Sequence, residues 1–139
     1  MDIRNFVGKV AVKIFLEDNE GNLLIVKQEE NEDYEVVGGR IDEGESIQQT
    51  IRRELKEELD IDIYDVNFDI LNTFQANNPN EGINHFYLII KIKVTEDQKR
   101  QMKLTEEIKE ICWINKYNYK DYNYKKFLQQ SIEKYIKNK

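Results

Sequence analysis

Ile47, Ile51, Leu55 and Leu59 recur at every fourth position, a spacing that an α-helix gathers into one apolar stripe. Ser46-Ile47-Gln48-Gln49 precedes them as a capping box, with Ser46 set to accept from the Gln49 amide and Gln49 to reach back to the Ser46 amide. A helix is therefore expected from this box to about Leu59 or Asp60, with a core to cover its stripe. The same segment is heavily charged. Asp42 to Asp62 holds eight acids against three bases, whereas the rest of the chain holds 19 against 18. Nearly all of the net charge of −6 sits in that one stretch.

Around this helix the sequence reads mainly as strands. Val7 to Leu16 is rich in β-branched residues, and Leu23 to Lys27 follows a polar turn, Glu17 to Asn22, which suggests a hairpin. Tyr34 to Val37 is β-prone and is expected to stop at Gly38-Gly39, with a loop running on to Glu45. Asp62 to Thr73 reads as extended, and Asn77-Asn78-Pro79-Asn80-Glu81-Gly82 as a loop. His85 to Val94 alternates, with Phe86, Leu88, Ile90, Ile92 and Val94 on one face and His85, Tyr87, Ile89, Lys91 and Lys93 on the other. Ile108 to Ile114 is a further strand candidate, and Phe127, Leu128, Ile132, Tyr135 and Ile136 recur at helical spacing. Interspersed helices and strands point to a layered α/β or α+β sandwich around a mixed sheet. At 139 residues the expectation is one domain, residues 1–139.

Several function classes drop out. The longest apolar run, Phe86 to Ile90, is far short of a membrane span, and Met1 to Asn5 lacks the apolar stretch of a signal peptide, so no membrane partner and a cytoplasmic location are expected. The single cysteine, Cys112, can form neither an internal disulfide nor a zinc site alone and is expected to pack in the core. An acidic average argues against binding along a phosphate backbone.

The acids themselves suggest chemistry. On the expected helix Glu54, Glu57 and Glu58 project within an arc of about 100° beside the buried stripe. Like charges at i and i+4 repel by roughly 0.2–0.5 kcal/mol, and acids in the last turn oppose the helix dipole. A bound divalent cation reverses both effects, and clustered hard oxygens suit Mg²⁺ or Mn²⁺. On these three residues alone, a merely solvated acidic face is the simpler reading.

The wider spacing changes that balance. Gly39 is followed by five positions to Glu45, seven to Arg53-Glu54-Leu55, one to Glu57-Glu58, and Leu59 to Asp60-Ile61. This resembles the Nudix box, the signature of the Nudix hydrolases, with Asp60 where the family has Gly. Tyr34-Glu35-Val36-Val37-Gly38-Gly39 is similar to the family's aromatic-x-x-Pro-Gly-Gly approach, with Val37 replacing Pro. Glu107 preceding Trp113 by six also matches a common family segment.

The resemblance implies an α/β/α sandwich with a central mixed sheet and a metal-dependent hydrolase that cleaves the phosphoanhydride of a nucleoside diphosphate linked to another group. A nucleoside triphosphate or similar small nucleotide is the expected substrate, with a capped RNA 5′ end as the one nucleic-acid substrate the family implies. It also implies that Gly38 (through its carbonyl), Glu54, Glu57, Glu58 and Glu107 hold Mg²⁺ or Mn²⁺. Arg53 would orient Glu54 or Glu45, with Glu45 in support, and Glu54 or Glu57 would take the proton from water, with Glu107 and then Glu110 as later-loop candidates. A nucleotide-binding regulatory module without turnover is the alternative, although its usual mark, loss of the acidic residues, is missing. Asp60 is expected to take a left-handed conformation at some cost in stability. Val37 is expected to hold the Gly38 carbonyl less firmly than Pro.

Tyr34, Phe74, Phe86, Tyr87 and Trp113 are candidate walls for a nucleobase, with core packing the simpler role for each. The tyrosines from Tyr117 to Tyr124 are read as packing or surface residues, and His85 as structural. Seven bases against two acids from Lys116 to Lys139 read first as a solvated helix face, with contact to an anionic partner as the second reading.

Overall fold

The structure, a computed structural model, describes residues 5–78 and 80–139. Pro79 of the expected loop and Met1 to Arg4 lie outside the described residues. The long strand β1 (Gly8–Glu17) organises the chain. One of its edges pairs in parallel with β5 (Ile83–Lys93), from Gly8 opposite Asn84 to Glu17 opposite Lys93. Its other edge is divided, with β3 (Val37–Arg40) antiparallel to Ala11–Ile14 and β2 (Leu23–Lys27) joining at Glu17 opposite Leu23. β4 (Asp69–Asn78) flanks β5, and β6 (Glu110–Ile114) flanks β2. The resulting mixed six-stranded sheet has the order β4-β5-β1-β2-β6, with β3 branching from β1.

Alternation along the central strands buries both faces of this sheet. Val12, Ile14, Leu16, Leu88, Ile90 and Ile92 form one cluster with Ile51, Leu55 and Leu59 of helix α1 (Ile47–Leu59). Phe15 and Ile89 turn to the opposite face, where Leu128, Ile132 and Ile136 of helix α3 (Lys126–Lys137) cover them. The architecture is therefore an α/β/α sandwich. The α1 stripe has no exposed surface at Ile51, Leu55 and Leu59, and both halves of the Ser46–Gln49 capping box form.

Several expectations need correction. Gly38 and Gly39 do not stop a strand but lie inside β3, opposite Lys13 and Val12. A side chain at Gly38, where φ is 153°, would overlap the Val12 carbonyl, so glycine lets the two backbones approach. Val37 pairs with Ile14 and is buried in the core. The extended segment from Asp62 becomes a strand only at Asp69, and Asn77 and Asn78 belong to β4 rather than to a loop. Helix α2 (Glu96–Gln101) was not foreseen, although Thr95 and Gln98 form a complete capping box. Cys112, as expected, packs against the α3-side core, half-buried and with its Sγ 2.9 Å from the Tyr122 hydroxyl.

Asp60 closes α1 in the left-handed region at φ 56°, with its amide reaching back to the Leu55 and Lys56 carbonyls. A Cβ strains this conformation, and the exposed Lys56–Asp60 pair offsets little of that cost. Asp60→Gly should therefore raise the melting temperature by roughly 2–4 °C, read by thermal denaturation, with no loss of helix content.

Candidate active site

The site lies where the exit end of α1 meets β3. Glu54 and Glu58, one helical turn apart, are 6% and 2% exposed, whereas Glu57 faces solvent. Gly39 borders the Glu54 carboxylate so closely that any Cβ there would overlap it. Gly38 falls at the register position whose peptide groups point away from β1, and its N–H lies 3.4 Å from Glu58 Oε1. The two glycines thus let a strand backbone lie directly against two buried carboxylates.

Arg53 ties these elements together. Its Nε donates to Glu45 Oε2 at 2.6 Å and its Nη2 to Glu45 Oε1 at 2.9 Å, a bidentate pair. Nη1 donates to Glu54 Oε1 at 2.7 Å and lies 3.5 Å from Glu57 Oε2, while Nη2 also reaches the Arg40 carbonyl at 3.0 Å. Glu45 is held in turn by the Thr50 hydroxyl and the Asp42 amide. The expectation left open whether Arg53 serves Glu54 or Glu45, and it binds both.

The electrostatics separate the carboxylates. Arg53 holds Glu45 down to about 2. Burial raises Glu54 despite its Arg53 contact. Burial and then the neighbouring Glu54 carboxyl hold Glu58 well above the usual carboxylate range. Glu58 Oε2 is buried without a hydrogen-bond partner, an uncommon condition for a polar atom. Among the described residues no three acidic, His or Cys side chains converge on one point as metal ligands. The donor set nonetheless fits a hard divalent cation, because two buried carboxylates crowd together and one oxygen is left unsatisfied.

Glu107 lies in an exposed turn tied to the same helix end. Thr105 Oγ1 donates to the Glu58 carbonyl at 3.0 Å, the Lys103 amide donates to the Leu59 carbonyl at 2.9 Å, and the Glu107 amide reaches Thr105 Oγ1. Glu110 is instead occupied by the Tyr34 hydroxyl at 3.1 Å and lies beside Lys27. Sequence reasoning passed over two charged groups next to the glycine pair. Arg40 binds Glu81 and His85 Nε2, and buried Glu35 binds Lys13 and Lys125. Burial opposes ionisation of Glu35, but the two lysines prevail and keep its carboxyl low. Both groups depend on partners far away in sequence, which local spacing does not reveal.

Residues 8–135 match the family described as the NUDIX domain. The chain belongs to the Nudix hydrolase family. It is a Nudix pyrophosphohydrolase, and solved structures share its fold. A structure from work on MutT of Aliivibrio salmonicida and Vibrio cholerae has a TM-score of 0.75 at 16% identity, covering 94% of this chain and 98% of that one. MutT protein of Methanosarcina mazei Go1 scores 0.74 at 17% identity, covering 98% of both chains. The dihydroneopterin triphosphate pyrophosphohydrolase of E. coli scores 0.73 at 17% identity, covering 97% of this chain and 100% of that one. No curated protein matches the sequence. Among the described residues no helix is long and apolar enough to cross a membrane.

The Glu45–Arg53 pair has a definite pH signature. The Glu45 carboxyl lies at about 2 in the fold against an ordinary 4.5, so its contribution is complete above about pH 4.5 and fades as pH falls towards 2. Glu45→Gln should be less stable than the native chain near neutral pH. That difference in melting temperature should narrow steadily across this acid window.

Proposed function

We propose that this enzyme hydrolyses the phosphoanhydride of a nucleoside diphosphate linked to another group, using Mg²⁺ or Mn²⁺, with a nucleoside triphosphate or similar small nucleotide as substrate. The observation that carries the reading is the buried Glu54–Glu58 pair against Gly38-Gly39, with one Glu58 oxygen unsatisfied. Glu54, Glu57 and Glu58 would hold the ion, with the Gly38 carbonyl and Glu107 as further donors. When bound, the ion neutralises diphosphate charge, lowers the pKa of water and stabilises charge on the leaving oxygen.

The chain's own residues do the positioning. Arg53 fixes Glu54 Oε1 by a charge-assisted hydrogen bond, so this carboxylate keeps its place when substrate approaches. Glu54 and Glu57 share the Arg53 Nη1, and one of the two would accept the proton from water. Gly39 puts only backbone beside Glu54, which lets that carboxylate pack directly against β3. The E. coli relative is named for a small triphosphate, and its fold is matched here over its whole length. Both facts favour a small triphosphate over a large conjugate.

A panel of nucleoside triphosphates, dinucleoside polyphosphates, nucleotide sugars and ADP-ribose, run with Mg²⁺ or Mn²⁺ and again with chelator, tests the reading. Release of a nucleoside monophosphate that stops with chelator is the expected result, and tight binding without release under both metals would overturn it. Glu57→Gln and Glu58→Gln should each cut metal-dependent turnover by about a hundredfold or more while remaining folded.

Glu58→Gln should also separate stability from activity. It puts a neutral amide in place of a buried carboxyl that folding must keep protonated, so at neutral pH its melting temperature in chelator should exceed that of the native chain even as turnover falls. Metal should act in the same sense. Because folding raises the Glu58 pKa, protonation stabilises the metal-free fold at low pH and that benefit is lost as pH rises. The thermal stabilisation given by Mg²⁺ or Mn²⁺ should therefore grow between about pH 5 and pH 8.

A further inference from the structure

One edge of the sheet carries no charge. Ile70 to Asn80 holds no Asp, Glu, Lys or Arg, the longest such stretch in a chain that is 35% charged. Sheet edges that stay apart from one another are usually guarded by lysines, prolines or short strands. β4 has no such guard from Ile70 to Asn78, although it is a ten-residue strand with β5 as its one neighbour among the described residues. The opposite edge is built differently, because β6 is half as long and begins at Glu110, next to Lys109.

The β4 edge offers both hydrogen-bonding groups and apolar surface. The Thr73 amide donates to the side-chain oxygen of its neighbour Asn72 at 2.9 Å, so it points away from β5. Alternation along an antiparallel strand turns the Gln75 amide the same way. Both residues are exposed, and Ile70, which is 59% exposed, and Leu71 add apolar surface beside the bulge between Ile70 and Asn72. On the α3 side Phe127, Tyr87 and Phe74 form an aromatic row with ring centres 5.0 Å apart at each step. That row ends at the edge in the half-buried Phe74.

A second copy of this chain is the strand that suits these features. Two molecules of net charge −6 repel each other, and an uncharged edge is where they approach with least repulsion. Antiparallel pairing about a two-fold axis at Phe74 satisfies both edges at once. Thr73 then lies opposite Gln75 of the second copy, and the two Phe74 rings become cross-strand neighbours. Asp69 and Glu81 fall outside the paired segment, so no acid faces an acid within it. We propose that β4 pairs in this register with β4 of a second copy, joining two sheets into one continuous sheet. β5 and β1 separate this edge from β3, so the inference stands apart from the hydrolase reading.

Sedimentation equilibrium from about 5 to 500 µM is the test, because a contact confined to one pair of strands is expected to be weak, with a Kd on the order of 10–100 µM. The average mass should rise from one chain towards two across that range. Gln75→Lys brings like charges together across the axis, and Thr73→Pro removes an outward donor while sparing the β5 ladder. Each should stay folded by circular dichroism and weaken association at least tenfold. Hydrogen exchange at the Thr73 and Gln75 amides should slow as the chain is concentrated, with no slowing in β6. A native chain that remains monomeric throughout, equal association in both folded variants, or slowing in β6 instead of β4 would each overturn the proposal.

Discussion

Two carboxylates that repel each other are kept one helical turn apart in a place that water barely reaches. Glu54 and Glu58 are both almost fully buried, and nothing in the stripe of α1 requires acids there. Exposed like charges at i and i+4 cost roughly 0.2–0.5 kcal/mol, and burial adds a desolvation cost to each charge. Such a pair persists only because the rest of α1 is strongly held. The capping box fixes its start, three fully buried side chains anchor its middle, and Asp60 turns the chain sharply away at its end. Stability gained along the helix offsets strain concentrated in its last two turns.

The divided edge of β1 explains how a backbone comes so close to those acids. A strand paired along its length to one neighbour would place a continuous ladder on that side. Here β3 takes only Ala11–Ile14, and its two glycines meet Glu54 and Glu58 of α1. Val37 then anchors β3 in the core through its pairing with Ile14.

The local parts of this arrangement were legible in the sequence. The capping box and the stripe follow from spacings within one short segment, whereas the left-handed Asp60 and the association of Arg53 with Glu45 and Glu54 were implied by the resemblance to the Nudix box. The Gly38-Gly39 pair misled because glycine usually breaks a strand, whereas here close approach to Val12 and Glu54 favours it inside one. Helix α2 was missed because its six residues carry no apolar periodicity, and none of them is buried, although Thr95 and Gln98 offered a cap signal. The Glu35 and Arg40 clusters join positions 22 to 90 residues apart. Only the folded sheet brings them together.

Position 53 shows why an arginine suits this junction better than a lysine would. One guanidinium here engages Glu45 through two nitrogens, Glu54 through a third, and the Arg40 carbonyl as well. An ammonium has three donors radiating from a single point and cannot match two oxygens of one carboxylate while reaching a second carboxylate and a strand carbonyl. The planar fork therefore transmits order in sequence. The Thr50 hydroxyl and the Asp42 amide fix Glu45, Glu45 fixes the plane of Arg53, and Arg53 fixes Glu54 Oε1. The carboxylate closest to the proposed chemistry thus takes its orientation from the first turn of the helix, where Thr50 also bonds to the Ser46 carbonyl. Capping and catalytic positioning in this chain are two ends of the same hydrogen-bonded chain of contacts.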